Sequence, residues 1–432
     1  MVTHPRRGPA ALLVAAALVL VVYMTLRPTR MQVLTPTFCI VCGDLGGVDF
    51  ALNVILFVPL GIGLRWTLGR WVPAAIIGAI TTLVIETLQW RLIPGRDASL
   101  GDLVANTLGT MLGAWLATEV FHWLNATSRS ARRYATTCGI LAVMVVSVSA
   151  WVLQPLVPRY PQWVQWTPLR SNTEPFQGRL LAVDLNGSAI HPAERFEAKR
   201  AFDTLTRSLS VRARIGAPGS SRPTRRQAII VRIANDWEEG FSLAQLGETA
   251  AFRTHIAAVK LKLRPILVGL DHTFPGSGSA GTAAALTIEG TSTPRAIMVR
   301  RQLPEGETAV AVPRTVGLAW ALFLPWDIAL NPQWWVANAF WLGALVLPVS
   351  FLTVRSAVRA EADPGPGIIW WPLPLVLATL AATPATGLSA LGIGEWVGVL
   401  AGISAGWMLE RWTATPAPRD LKAHAHGGTI LS

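Results

Sequence analysis

Eight stretches of this chain are apolar for close to the thickness of a bilayer: Ala10 to Leu26, Ala51 to Leu68, Val72 to Trp90, Leu100 to Leu124, Cys138 to Val157, Trp334 to Val354, Ile368 to Ala385 and Leu388 to Leu409. Crossing the hydrocarbon takes roughly 20 helical residues. An unpaired backbone N–H or C=O is expensive there, so such runs fold as helices. Composition agrees, since 51% of the 432 residues are apolar, only 14% are charged and the mean hydropathy is +0.42. That balance excludes an ordinary soluble protein of this length. The expected fold class is a polytopic α-helical membrane protein of about eight spans with an inserted, exported all-β sandwich domain. The run from Thr315 to Leu330 is short; it either lies in the interface or opens the sixth span.

The first run follows Arg6 and Arg7 and lacks a small-residue cleavage pattern at its end, so it reads as an uncleaved span rather than a signal peptide. With the N-terminus inside, the cytoplasmic ends collect Arg65 and Arg70, then Arg129, Arg132 and Arg133, then Arg355 and Arg359, then Arg411 and Arg419. Lys and Arg gather on the cytoplasmic side of short loops, which fixes this orientation. The net charge of +12 is thereby assigned to topology, and no nucleic-acid role is read. The segment from about Arg159 to Arg314 is exported on the same count.

Four domains follow: 1–157 transmembrane helices, 158–314 the exported β-sandwich, 315–412 C-terminal transmembrane helices and 413–432 a cytoplasmic tail. The exported segment contains strand-like runs at Leu209 to Ile215, Ala228 to Ala234, Ile266 to Leu270 and Ala296 to Arg301, divided by Gly, Pro and Ser clusters. The loop Thr273 to Gly281 is flexible by composition.

Polar residues set into the apolar helices give a candidate site, because intramembrane carboxylates and amides are costly and tend to mark function. Asp49 and Asn53 are four apart, Glu86 and Gln89 three apart, and Asp102 and Asn106 four apart, so each pair shares a helix face. The assigned topology puts all three pairs toward the outer leaflet, with Arg96, on the loop between two of the helices, as counter-ion. Three readings stand side by side: hydrogen-bonded glue across a small-residue helix interface at Gly109 and Gly113, a ligand pocket, or a catalytic site. Asn53 and Asn106 suit glue best; Glu86, Arg96 and Asp102 suit ligand contact. A faint repeat sets Asp327 to Asn331 beside Asp49 to Asn53, and Gly394, Glu395, Gly402 and Gly406 beside Gly101, Asp102, Gly109 and Gly113. Either the C-terminal helices are a degenerate second copy, or two glycine-rich apolar segments agree by chance.

The run from Asp49 to Leu116 resembles the VanZ-like family on Asn53, Phe57, Pro59 and Gly61, then Glu86 and Gln89, Gly95 and Arg96, and Asp102, Asn106 and Gly109. One departure is Ser99, where that family more often has an acidic residue; Asp97 stands close by. The resemblance covers the first third of the chain and implies envelope biology with low-level resistance to glycopeptides, especially teicoplanin, without an established reaction. The exported region resembles, more weakly, a concanavalin-like or laminin-G-like jelly roll at Leu209 to Ile215, Gly240 to Gly247 and Ala285 to Gly290, which implies carbohydrate binding.

Cys39 and Cys42 sit on the outer loop after the first span, where a disulfide can form. A Cys-x-x-Cys pair also invites a redox reading, but no thioredoxin-like context surrounds it, so a local clip is favoured. No metal and no cofactor are expected, since the seven His form no ligand cluster and no phosphate loop or nucleophile elbow occurs. The expected partners are membrane lipid and an envelope glycan or lipid-linked ligand bound on the outer side of the inner membrane. A lipid-linked-substrate enzyme and an envelope scaffold are the competing functions.

Overall fold

The computed structural model describes residues 7–26, 39–41, 43–93, 99–158, 160–170, 173–196, 208–216, 226–236, 238–274, 285–358 and 370–413. Eight α-helices lie among them: α1 (Arg7–Thr25), α2 (Gly46–Leu68), α3 (Trp71–Leu92), α4 (Leu100–Leu124), α5 (Ser128–Val152), α6 (Trp335–Val358), α7 (Pro372–Ala381) and α8 (Ile393–Thr413). Their ends are written locally. Ser99 accepts from the backbone N–H groups of Gly101 and Asp102 to start α4, and Thr127 accepts from that of Ser130 to start α5. Gly69 ends α2 in the left-handed conformation at φ 72°, which glycine adopts without strain.

The protein is a helical membrane protein, and among the described residues five helices are long and apolar enough to cross a bilayer: α1, α2, α3, α5 and α6, the last extended back to Pro332. Three of the eight expected segments fall short of that measure. Helices α4 and α8 reach 25 and 21 residues, but their apolar content is diluted by Asp102, Asn106 and Glu119 in one and Glu395 and Glu410 in the other. The run Ile368 to Ala385 fails for a different reason. Prolines 372 and 374 sit in the first turn of α7 and Pro384 lies just beyond its end, leaving ten helical residues.

The β domain has two sheets. Its strands are β1 (Gln162–Trp166), β2 (Arg179–Leu185), β3 (Ser188–Ala189), β4 (Arg195–Phe196), β5 (Leu209–Gly216), β6 (Gln227–Ala234), β7 (Glu239–Leu246), β8 (Thr249–Thr254), β9 (Leu267–Leu270), β10 (Leu286–Ser292), β11 (Ala296–Leu303), β12 (Gly306–Pro313) and β13 (Ala329–Leu330). Seven run β13-β9-β8-β7-β6-β1-β4 and six run β12-β11-β10-β5-β2-β3. The expected strand-like runs fall on β5 (Leu209–Gly216), β6 (Gln227–Ala234), β9 (Leu267–Leu270) and β11 (Ala296–Leu303). Alternation along β5 buries Leu209, Val211, Ala213 and Ile215 against the facing sheet, where Phe241, Leu243 and Phe252 belong to the same core. The run Thr315 to Leu330 neither spans nor lies flat. It forms a buried 3-10 helix, Val316–Phe323, and then β13, which pairs in parallel with β9.

The β domain is seated on the ends of the helices. Ala257 N–H donates to Gln154 O at 2.9 Å, Leu156 N–H to His255 O at 3.1 Å and Gly47 N–H to Lys262 O at 3.2 Å. A Cβ on Gly47 would run into the Leu261 carbonyl, so this contact needs glycine. One continuous core joins Val146 of α5, Leu342 of α6 and Val376 of α7 to Leu318, Ile256 and Phe252 above them.

Candidate functional site

The polar pairs occupy the first turns of α2 and α4 and the last turns of α3, so all lie at one end of the bundle, the end that carries the β domain. Asn53 Nδ2 donates to Asp102 Oδ1 at 2.7 Å, joining α2 to α4. Glu86 is 6% exposed and its Oε2 accepts the Ser99 N–H at 2.9 Å, which ties the end of α3 to the start of α4. Gln89 Nε2 donates to Thr25 O at 2.8 Å and ties α3 to α1. Asp49 is exposed at the mouth. Asp49 and Asp102 stand in the first turns of their helices, where the helix dipole favours negative charge.

Asn106 lies one turn deeper than Asp102. Its Nδ2 donates to Thr82 Oγ1 at 2.8 Å, whereas its Oδ1, on a side chain 2% exposed, accepts from no group among the described residues. A buried amide oxygen without a donor costs free energy and invites a ligand or water proton. Asp49 with Asn53, and Asp102 with Asn106, share faces as expected, yet Asn53 and Asp102 meet each other while Asn106 turns to α3. Arg96, with Gly95 and Asp97, lies outside the described residues. Sequence reasoning missed Thr25, Thr82 and Ser99; the Ser99-x-x-Asp102 spacing is an N-cap signal that singles out the last of these.

A second polar cluster lies at the same end of the molecule. Glu395, the third residue of α8 as Asp102 is of α4, accepts the Gly392 N–H at 2.9 Å on Oε2 and Asn338 Nδ2 at 2.9 Å on Oε1, to which the Thr315 hydroxyl also donates. Trp320 Nε1 donates to Asn338 Oδ1 at 2.8 Å. Thr315 and Trp320 come from the base of the β domain, so here the chain itself fills the space around the carboxylate.

The two helix pairs pack in the same register. Gly109 and Gly113 of α4 back onto the Val54 and Val58 carbonyls of α2; Gly402 and Gly406 of α8 back onto those of Gly343 and Leu347 of α6. One displacement along the chain carries Val54 to Gly343, Val58 to Leu347 and the helix proline Pro59 to Pro348. It also carries Asp49 to Asn338 and Asn53 to Leu342. The stretch Asp327 to Asn331, expected to echo Asp49 to Asn53, is used otherwise: Asp327 accepts Arg264 Nη1 at 2.6 Å and Ala329–Leu330 form β13.

At the opposite end Arg355, expected in a loop, is fully buried. It pairs with Glu410 at 2.5 Å and donates to the carbonyls of Leu124 and Ala126, and so holds the end of α4 to α6 and α8. Arg132 is 8% exposed, whereas Arg133 is exposed. Cys39 is disulfide-bonded and Cys138 is free; Cys42 lies outside the described residues.

No curated protein and no solved structure matches the chain. Over residues 12–122, from the first turns of α1 to the last turn of α4 and including the whole of the N-terminal polar cluster, the chain matches the VanZ/LLP1 family.

Proposed function

We propose that this membrane protein, VanZ/LLP1-like over residues 12–122, lies in the bacterial inner membrane and binds an envelope ligand at the outward end of the α1–α4 bundle. The ligand class is a glycan, a lipid-linked precursor or a glycopeptide antibiotic, and binding contributes to resistance to glycopeptides such as teicoplanin. The observation that carries the reading is the gathering of Asp49, Asn53, Glu86, Gln89 and Asp102 at one bundle end, above a buried Asn106 Oδ1 that accepts from no group among the described residues. Arg96 belongs to the same site by its place between α3 and α4. The β domain, read as a concanavalin-like jelly roll facing outward, presents glycan to that mouth. Helices α4, α7 and α8 complete eight membrane segments, and α5–α8 form a degenerate second copy of α1–α4; the shared register of α2–α4 and α6–α8 supports this.

The buried Glu86 favours an enzyme as the second reading, since a carboxylate held away from water is suited to proton transfer on a lipid-linked substrate. Glu86→Gln keeps shape and most hydrogen-bonding capacity, so cells carrying it are expected to make normal amounts of protein and to lose teicoplanin tolerance. Unchanged tolerance contradicts the site. Turnover of a lipid-linked substrate by purified protein selects the enzyme. Orientation is checked on a cysteine-free background: Ser188→Cys, exposed on β3 (Ser188–Ala189), should react with an impermeant thiol reagent from outside and Arg133→Cys should not. The reverse pattern inverts the protein.

A further inference from the structure

The two halves of the helical region are joined at their ends and not along their length. Helices α1–α4 pack on one another, and α5–α8 on one another, but among the described residues no helix of the first set runs packed against a helix of the second. At the inner end Arg355 of α6 donates to the carbonyls of Leu124 and Ala126, where α4 finishes. At the end that carries the β domain, Val48 and Leu52 of α2 join the core shared with α5 and α6. Val48, Leu52 and Ile55 stand at i, i+4 and i+7 and so lie on one face of α2. One turn below Leu52 that face has lost its cover, since Ile55 is 61% exposed.

The 3-10 turn Ala257–Leu261 of the β domain bridges α2 and α5 above this point. The Leu261 carbonyl packs on Gly47 at the start of α2, and Lys260 Nζ lies 5.9 Å from the centre of the Trp151 ring at the end of α5. Trp151, Val148, Met144 and Leu141 descend one face of α5, and all four are exposed. An indole at a span end marks the level of the lipid headgroups. Of the three cations on this stretch of chain, two are engaged: Lys262 Nζ donates to Val41 O at 2.6 Å and Arg264 Nη1 to Asp327 Oδ1 at 2.6 Å. Lys260 is exposed and, among the described residues, meets an indole but no carboxylate.

We propose that one anionic phospholipid of the leaflet adjoining the β domain seats in the crevice between α2 and α5, with its phosphate on Lys260 and its acyl chains along Ile55, Val148 and Met144. Charge and polarity select this occupant. Uncovered apolar faces of two membrane helices pack against hydrocarbon, and an ammonium held at headgroup level attracts a phosphate. A soluble phosphate or glycan has nothing to place against Ile55 and Met144. The lipid ties α2 to α5 at a depth where the protein makes no such contact of its own. The site uses none of the polar cluster of α2–α4 and stands whichever way the β domain faces.

The test uses the full chain in a neutral detergent supplemented with phosphatidylglycerol or with phosphatidylcholine of the same acyl chains. A ligand that binds only the folded state raises the melting temperature, and phosphatidylglycerol at about ten times its Kd should raise it by roughly 2 °C more than phosphatidylcholine. Lys260→Gln, on an exposed turn, should fold normally and abolish the difference. Native mass spectrometry of the wild type should retain one phosphatidylglycerol per chain, and a photoreactive acyl chain on that lipid should label α2 and α5 around Ile55 and Met144. Equal melting in the two lipids, a preference that persists in Lys260→Gln, labelling confined to other helices, or a dimer that carries no lipid overturns the proposal.

Discussion

The helix pairs α2–α4 and α6–α8 share a backbone register and differ in what they do with a carboxylate at its outer end. In the first pair Asp102 meets Asn53 below an exposed Asp49, and the buried Asn106 Oδ1 accepts from no group among the described residues. In the second, Glu395 is 4% exposed and is enclosed by Asn338, Gly392 and Thr315, with Trp320 behind Asn338. Gly317 leaves room for that carboxylate, because a Cβ there would strike Glu395 Oε1. A shared packing frame thus carries a polar cluster at the outer end of both pairs, and in the second the β domain fastens it. Closure by the chain's own hydroxyl and indole groups is what a structural role looks like, whereas the Asn106 Oδ1, without a donor among the described residues, makes the first pair the place to seek a ligand.

The inner ends of the pairs differ as well, and there the largest effect is expected. Arg65 Nε donates to Thr118 Oγ1 at 2.9 Å, a neutral contact, whereas Arg355 is locked to Glu410 and to the end of α4. Arg355→Met leaves Glu410 buried without its cation and should cost about 3–5 kcal/mol. Arg65→Met should cost far less. Thermal unfolding of both variants in detergent checks the difference, and similar losses would erase the distinction between the two inner ends.

Next in size is the shared frame. Gly109→Ala and Gly402→Ala each drive a methyl into a facing carbonyl and should each cost about 1–3 kcal/mol. Near-equal losses support a common frame; a large loss at only one position breaks the comparison. Thr315→Val then tests the lock alone. It takes a donor from the buried Glu395 and should cost about 1–3 kcal/mol, with the β domain and α8 loosening together in hydrogen exchange.

The smallest effect concerns pH. His255 Nδ1–H donates to Glu239 O at 2.8 Å, and burial holds the ring pKa below its ordinary value. A base whose folded pKa is depressed contributes stability that is present above its unfolded pKa near 6.5 and lost as pH falls toward the folded pKa. Glu239 acts in the same sense at lower pH: burial alone would raise it, but Arg253 and Arg232 outweigh that and hold it down. Melting temperature should fall below about pH 6.5, and His255→Asn should flatten the upper part of that fall.

Much of this was legible in residues. The polar pairs of the first third announced themselves by cost, and the strands of the β domain by alternation along segments such as Leu209 to Ile215. Helix length was not, because apolar content does not measure it. Prolines cut Ile368 to Ala385 to the ten residues of α7, and α4 and α8 carry polar faces that serve a neighbour. The repeat was misplaced on α6 for a related reason. Residues 327–331 carry the right letters, but register is set by backbone contact at glycines and by Pro348, which only packing reveals. Arg355 looked like a loop charge because a sequence does not say that Glu410, on another helix, comes to meet it.

The measurement that bears most directly on the account is a paired one, Asp102→Asn against Glu395→Gln, each scored for melting temperature in detergent and for glycopeptide tolerance at matched expression. Asp102→Asn should melt near the wild-type temperature and lose tolerance. Glu395→Gln should melt lower, with tolerance following only the amount of folded protein. Should Asp102→Asn lose stability and tolerance together while Glu395→Gln loses tolerance at normal stability, the assignment of a ligand site to the first pair and a structural lock to the second is contradicted.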